Sequence, residues 1–345
     1  TGSPWKSNSQ LISEGCRMEI RARLRGQKNG FNMGIWLVSD ESAGQKSYSE
    51  IDILEKALDG YDKVFMTGFV LRYTPFIEKI KELTDSGKIG KIMNMQLNEN
   101  EGYWHHAHSY VRGEWSNSKK SSPLIVAKSC HDFDLMLYLT DSSCKNIVSY
   151  GSNGYFTAQN APGDVPPRCT DGCTFAKKCQ YNAVKLYTEG AASYFINKLE
   201  CGTEKEKIID ALKTSPYGRC VYRCDNDVCD HQVAALEMEN SVCAVFTVSA
   251  FSLKNTRTIK LMGTEGEIGG CMEDGEIVLK RFLENSEEYF HVTHDGTRHC
   301  GGDGGLMRYF ARAMEDENYS IDRKIFKAHR LTFAAEKSRA ENEII

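Results

Sequence analysis

Ala234-Ala235-Leu236-Glu237-Met238-Glu239, then Asn240-Ser241, then Val242-Cys243-Ala244-Val245-Phe246-Thr247-Val248, reads as two strands folded back around a polar pair. Downstream, Thr258-Ile259-Lys260-Leu261-Met262-Gly263 adds a third strand. Glu267-Ile268-Gly269-Gly270 and Glu276-Ile277-Val278-Leu279 continue the meander. Leu306 to Met314 and Phe326 to Arg339 carry apolar residues at helical spacing. Strands in a run, flanked by helices on one face, predict an open, mainly antiparallel sheet of α+β type.

Upstream the rhythm changes. Ile51, Ile53, Leu54 and Leu58 lie on one helical face, stopped by Gly60. Val64 to Val70 follows as a buried strand, and helix-then-strand is the beat of a parallel α/β sheet. Pro75 opens a helix over 76–86, ended by Gly87. Ile92 to Leu97 is a strand, 100–122 a polar, aromatic loop, Leu124 to Leu139 one helix, and Ile147 to Gly151 a short strand. Residues 158–183 form an insertion rich in Pro, Gly and Cys, and 1–46 show neither strand nor helix periodicity. No internal repeat is visible. The fold class expected is α/β plus α+β: a remnant of a Rossmann-type domain, then a larger domain with an open sheet.

Composition bounds the function. The 345 residues carry a net charge of -4, which offers no electrostatic footprint for nucleic acid. No apolar run approaches the roughly 18 residues that span a bilayer. Thirteen cysteines in so long a chain predict mostly reduced, buried thiols and a cytoplasmic setting rather than a secreted disulfide scaffold.

Five stretches carry candidate chemistry. In Lys128-Ser129-Cys130-His131-Asp132-Phe133-Asp134, Lys128, His131 and Asp134 are three apart and share a face if the helix is continuous. A histidine there can accept or deliver a proton, a carboxylate raising its pKa and an ammonium lowering it. In Trp104-His105-His106-Ala107-His108-Ser109-Tyr110-Val111-Arg112, rings offer flat faces to a sugar, while His108, Tyr110 and Arg112 can bond hydroxyls. The alternative is aromatic cover for a sheet. Asp230 and His231, just before a strand, and His299, ahead of Gly301-Gly302-Asp303, are further candidates for the ligand. A turn with Asx caps is the competing reading for the first two.

Cys169, Cys173 and Cys179 lie within eleven residues in a loop with little apolar material, the pattern of a structural zinc knot whose fourth ligand is Cys220, Cys224, Cys229 or a histidine from elsewhere. A disulfide plus a free thiol, and an iron–sulfur cluster, are the alternatives.

Taken in order, Gly68-Phe69-Val70-Leu71-Arg72-Tyr73-Thr74-Pro75, Ser86-Gly87-Lys88-Ile89-Gly90-Lys91-Ile92, His131-x2-Asp134, Lys260-Leu261-Met262-Gly263-Thr264-Glu265-Gly266, Gly301-Gly302-Asp303 and Phe333-Ala334-Ala335-Glu336 resemble the glucose–fructose oxidoreductase / inositol dehydrogenase (Gfo/Idh/MocA) family over about residues 47–345. The resemblance implies NAD or NADP, hydride transfer at a carbon of a sugar, glycoside or cyclitol, and a catalytic role for His131 assisted by Lys128 and Asp134. It brings in Arg72 as a substrate-side arginine. It also implies a homo-oligomer packed through the open sheet.

The same resemblance exposes a gap. The family opens with a strand and a G-x-G-x-x-G turn, whereas Gly26, Gly30 and Gly34 are spaced by four with no strand before them. Residues 1–70 are therefore expected to be an incomplete dinucleotide-binding domain, with 1–46 foreign to it, and 71–345 a substrate and oligomerisation domain. No cofactor-binding residue is assigned, and turnover by this chain is left open. A glycoside hydrolase using transient oxidation, or a non-catalytic ligand-binding remnant, are the rivals.

Overall fold

The computed structural model describes Leu58, residues 64–316 and residues 318–345. The helix expected over 51–58 and nearly all of the expected 1–70 domain lie outside these residues, apart from the stretch from Val64 on.

The strands are β1 (Ile92–Gly102), β2 (Cys144–Ser152), β3 (His231–Met238), β4 (Cys243–Ser252), β5 (Thr256–Gly263), β6 (Gly266–Cys271), β7 (Glu276–Arg281) and β8 (Ser286–His291). They form one sheet in the order β2-β3-β4-β1-β5-β6-β7-β8. β1 runs parallel to β4 and antiparallel to β5, and the other neighbours are antiparallel. The expected hairpin is present: Glu237 pairs with Cys243, and Ser241 takes a φ of +69° in the turn.

Alternation decides which face is buried. Met95 and Leu97 of β1, Phe246 and Val248 of β4, and Ile259 and Leu261 of β5 point into one apolar core. Against them packs α4 (Cys130–Thr140), with the Phe133 ring 5.1 Å from that of Phe246, and α8 (Lys324–Glu341) covers α4 and β2. The helix α1 (Pro75–Asp85) begins where expected, Thr74 Oγ1 accepting the Ile77 amide at 3.2 Å and Pro75 occupying the first turn. Its Phe76 ring lies where a side chain on Gly270 would stand, which is what that glycine permits. The opposite face stays open, with Tyr150 and Val245 exposed.

Three local expectations fail. Val64 to Val70 is not a strand: the Val70 amide closes a turn on the Gly68 carbonyl at 2.8 Å and a 3-10 turn runs over Val70–Tyr73. An apolar run needs a neighbouring strand to pair with, and no described strand lies beside it. The helix expected over 124–139 is broken. It divides into α3 (Leu124–Ala127) and α4, with Lys128 and Ser129 in the joint. The loop expected over 100–122 is also partly regular: β1 runs on to Gly102, then comes helix α2 (Tyr103–His106), continued by a π-type turn over Ala107–Arg112.

The cysteine-rich insertion and its flanks build two small cores of their own. One holds Phe156, Tyr181, Val221 and Tyr222, the other Leu186, Tyr187, Ile208, Leu212 and Tyr217. Ala107 and Val111 enter the first, and Tyr103 and Trp104 pack on the second. The 103–112 segment therefore couples the end of β1 to the insertion.

Candidate active site

The site grows from β1. After Met95 and Leu97, the inward-facing positions become Glu99 and Glu101, both fully buried. Buried carboxylates demand partners, and the neighbouring elements supply them. Arg257 stands opposite Glu99 in the β1–β5 register and reaches it at 2.5 Å. The same guanidinium binds Asp132, in the first turn of α4, at 2.8 Å. Glu273 accepts the Arg257 backbone amide at 2.5 Å. The joint between α3 and α4 lets Lys128 reach Glu99 at 3.3 Å. Glu101 takes His106 at 2.8 Å and His105 at 3.5 Å.

Four carboxylates thus face two permanent cations, Lys128 and Arg257. Charge excess of this kind is relieved by protonation. Burial pushes Asp132 up to about 7, against the pull of Arg257, and it also raises Glu273. Glu101 goes the other way: burial opposes its charge, but the hydrogen bond and charge of His106 win and hold it at about 2. Burial works against the Lys128 ammonium too, yet Glu99 and Glu101 carry its pKa above the usual lysine range.

His131 sits on the rim of this network. Its ring meets Phe69 edge-on at 5.7 Å and lies 6.3 Å from the His299 ring. Burial, with Arg257, His299, Lys128 and His329 nearby, lowers its pKa to about 3, so the imidazole is neutral. Its Nδ1, the His106 Nε2 and the Ser129 Oγ are buried with no hydrogen-bond partner among the described residues. Buried polar atoms left without a partner are uncommon in folded proteins.

The expected residues divide sharply. Lys128, His131, His299 and Tyr110 belong to this region. Tyr110 stacks on His106 at 5.3 Å, and burial, then Glu101 and Glu99, raise its phenol. Asp134 does not join His131. It binds Arg72 in two contacts, 2.6 Å and 2.5 Å, and Arg72 also takes Asp322 at 2.7 Å. Both expected site residues are thereby spent on each other: His131 and Asp134 share the unbroken α4, but the Arg72 guanidinium claims the carboxylate. His108 is sandwiched between Phe195 and Tyr217, ring centroids 4.1 and 4.4 Å away, and bonds the Tyr187 hydroxyl. Arg112 donates to the Tyr181 and Arg219 carbonyls at 2.6 and 2.7 Å. These two hold the insertion together rather than facing His131. Asp230 is buried, accepting the Tyr155 amide at 2.7 Å and pairing with His231 at 2.6 Å, and His231 stands opposite Ser249 near the exposed side of the sheet.

The zinc reading is also corrected. Among the described residues no three His, Cys, Asp or Glu side chains are arranged to hold a metal ion. Cys169, Cys173, Cys179 and Cys220 are free thiols, and the Arg112 guanidinium donates to the Cys169 sulfur at 3.8 Å. A fixed cation there opposes a second one, and burial pushes the Cys179 and Cys220 thiols up, away from the thiolate a metal needs.

Sequence reading missed Glu99, Glu101, His105, His106, Asp132, Arg257, Glu273 and His329. A signal existed for the first two: the period-2 face Met95, Leu97 runs on into Glu99, Glu101. The dinucleotide implied by the family resemblance finds no seat among the described residues, where no strand–glycine turn–helix unit cradles a pyrophosphate.

Comparison with known proteins fits this architecture. The family described as "Oxidoreductase family, C-terminal alpha/beta domain" matches residues 81–296. The Bacillus subtilis (strain 168) protein named "Putative oxidoreductase YteT" is 26% identical over 263 residues, 73% of this chain, which spans 60% of that protein's length. A levoglucosan dehydrogenase in complex with NADH and levoglucosan superposes with a TM-score of 0.59 at 13% identity, covering 86% of this chain and 70% of that one. A super-repressor mutant of Gal80p from Saccharomyces cerevisiae gives 0.58 at 14% identity, with 87% and 69% covered. At such identities the likeness is one of fold.

Proposed function

The chain belongs to the oxidoreductase family with this C-terminal alpha/beta domain, and we propose that residues 71–345 bind a sugar, glycoside or cyclitol as the substrate half of an NAD- or NADP-linked oxidoreductase. The observation that carries this is the pairing of a charged Lys128 with a neutral His131 whose Nδ1 is buried and unpartnered. An ammonium donates to a substrate oxygen, and a neutral imidazole accepts from its hydroxyl. A pKa near 3 makes the resting His131 a weak base. Negative charge developing on the oxygen beside it is what strengthens its hold on the proton. NADH stands in the levoglucosan dehydrogenase complex and supports the cofactor class. The roles assigned here are confined to this chain's own side chains, since the described residues give the dinucleotide no glycine-turn seat.

A sugar and cyclitol panel, read by tryptophan fluorescence and by nicotinamide reduction, tests the reading. Binding that is lost in His131→Asn and in Lys128→Met supports it. A saccharide bound equally well by both variants refutes it.

A second, non-catalytic reading is favoured by the open sheet face: a ligand-binding, oligomerising protein whose sheet, with Tyr150 and Val245 exposed, packs on a second copy. Saccharide binding by a dimer that shows no nicotinamide reduction would select it. Among the described residues no helix is long and apolar enough to cross a membrane. The twelve described cysteines are free, in keeping with a cytoplasmic setting.

A further inference from the structure

One member of the network, His105, faces two ways. Its Nδ1 lies 3.5 Å from Glu101 and 3.2 Å from Asn255. Its ring stacks on Trp104 at 5.7 Å and meets Phe195 at 5.2 Å. The Trp104 indole is laid across Gly102, the residue after Glu101, so closely that a side chain there would stand 2.8 Å from Nε1. Phe195 and Tyr194 come from the 3-10 segment Ala191–Leu199 that follows the insertion, their rings 5.1 Å apart, and Tyr194 remains 67% exposed. Trp104, His105 and Phe195 are half-buried. An aromatic shelf, partly open to solvent, therefore continues directly from the buried acids that hold Lys128.

We infer that this shelf is a stacking platform for a second sugar ring, so that the ligand is a glycoside of linked rings rather than a single sugar or cyclitol. The inference rests on the reading of Lys128 and His131 as the seat of the first ring. Flat rings with polar groups at their edge match the apolar face of a pyranose, and His105 and Asn255 offer hydrogen bonds at the junction. A polar–aromatic surface of this kind does not need the ligand to be charged. The platform is built partly by the 3-10 segment Ala191–Leu199, through Tyr194 and Phe195, which gives that segment a role in choosing the substrate.

The test is a carbohydrate array of mono-, di- and trisaccharides probed with the whole chain, followed by calorimetric titration of the tightest disaccharide and of its component monosaccharide. The disaccharide is expected to bind about tenfold more tightly, the upper end of an aromatic contact. Trp104→Ala and, separately, the exposed Tyr194→Ala should shrink that advantage while leaving the monosaccharide Kd unchanged. Trp104→Phe should retain most of it. Lys128→Met should weaken both ligands. Equal affinity for the two ligands, or an advantage untouched by both Trp104→Ala and Tyr194→Ala, overturns the inference. Monosaccharide binding that depends on Lys128 without any disaccharide preference removes the platform and leaves the first-ring reading standing. If no saccharide binds, both fall.

Discussion

Glu99 and Arg257 stand directly opposite each other in the β1–β5 ladder, and their side chains close to 2.5 Å on the buried face. The neighbouring register pair on that face is Leu97 with Ile259. An ion pair thus occupies the place of the next core layer, and Asp132 of α4 locks it from above through the same guanidinium.

Arg257→Met should be strongly destabilising. Removing one partner of a buried pair leaves Glu99 and Asp132 uncompensated, a cost of about 3–5 kcal/mol. Urea unfolding should show a lower midpoint with little change in slope. A midpoint like that of the parent would show that the network carries little of the fold's stability.

Asp134→Asn separates a structural role from a substrate role. Asp134 is held by Arg72, not by His131. Weakening that charge-assisted pair should cost about 1.5–3 kcal/mol in unfolding free energy, while saccharide affinity stays within about twofold. A large loss of affinity at parental stability would restore Asp134 to the site.

Lys128→Met and His131→Asn should each lower any sugar-dependent nicotinamide reduction by about 100-fold or more, the usual weight of a proton-handling group. Far-ultraviolet circular dichroism should be unchanged for His131→Asn. Turnover at the parental rate in both variants would move the chemistry elsewhere.

The pH dependence of stability isolates His131. Its pKa in the folded state, about 3, lies below the ordinary histidine value of 6.5. The folded form therefore binds fewer protons, and its stability contribution is intact above 6.5 and is lost as pH falls toward 3. Asp132, raised by burial to about 7, has the opposite sign: its contribution is present below 3.8 and is lost as pH rises through 7. Subtracting the unfolding curves of His131→Asn from those of the parent leaves the histidine alone. The difference should favour His131→Asn increasingly from pH 6.5 downward, and a flat difference would mean that His131 is not desolvated.

Strands whose partners follow at once were legible, because alternation and the Asn240-Ser241 turn are local signals: the β3–β4 hairpin and the β5–β7 run appear close to where their residues place them, whereas the expected continuous meander is interrupted by β1 between β4 and β5. The Val64 to Val70 run misled because an apolar run states burial but not pairing. The break at Lys128-Ser129 was not legible, since neither residue is a helix breaker and Lys128 turns to Glu99, 29 positions earlier in the chain. The family motif located His131, yet a shared helix face wrongly attached Asp134 to it. His108 and Arg112 were chosen for their chemistry, and only the tertiary packing of the insertion showed that both are consumed by it. Arg257 carries no local mark of its importance; it matters because β5 aligns it with Glu99.

The placement of β1 between β4 and β5 bears on how the chain assembles. Asn94 pairs with Cys243 on one side and with Met262 on the other, partners 149 and 168 positions downstream. The β5–β8 ladders, by contrast, join neighbours in sequence. Local ladders close quickly, and distant ones must first overcome the entropy of a long loop. The middle of the sheet is accordingly its slowest part to form. Glu99 and Glu101 stay in water until β1 docks, so the acidic network is assembled in the same event that completes the fold.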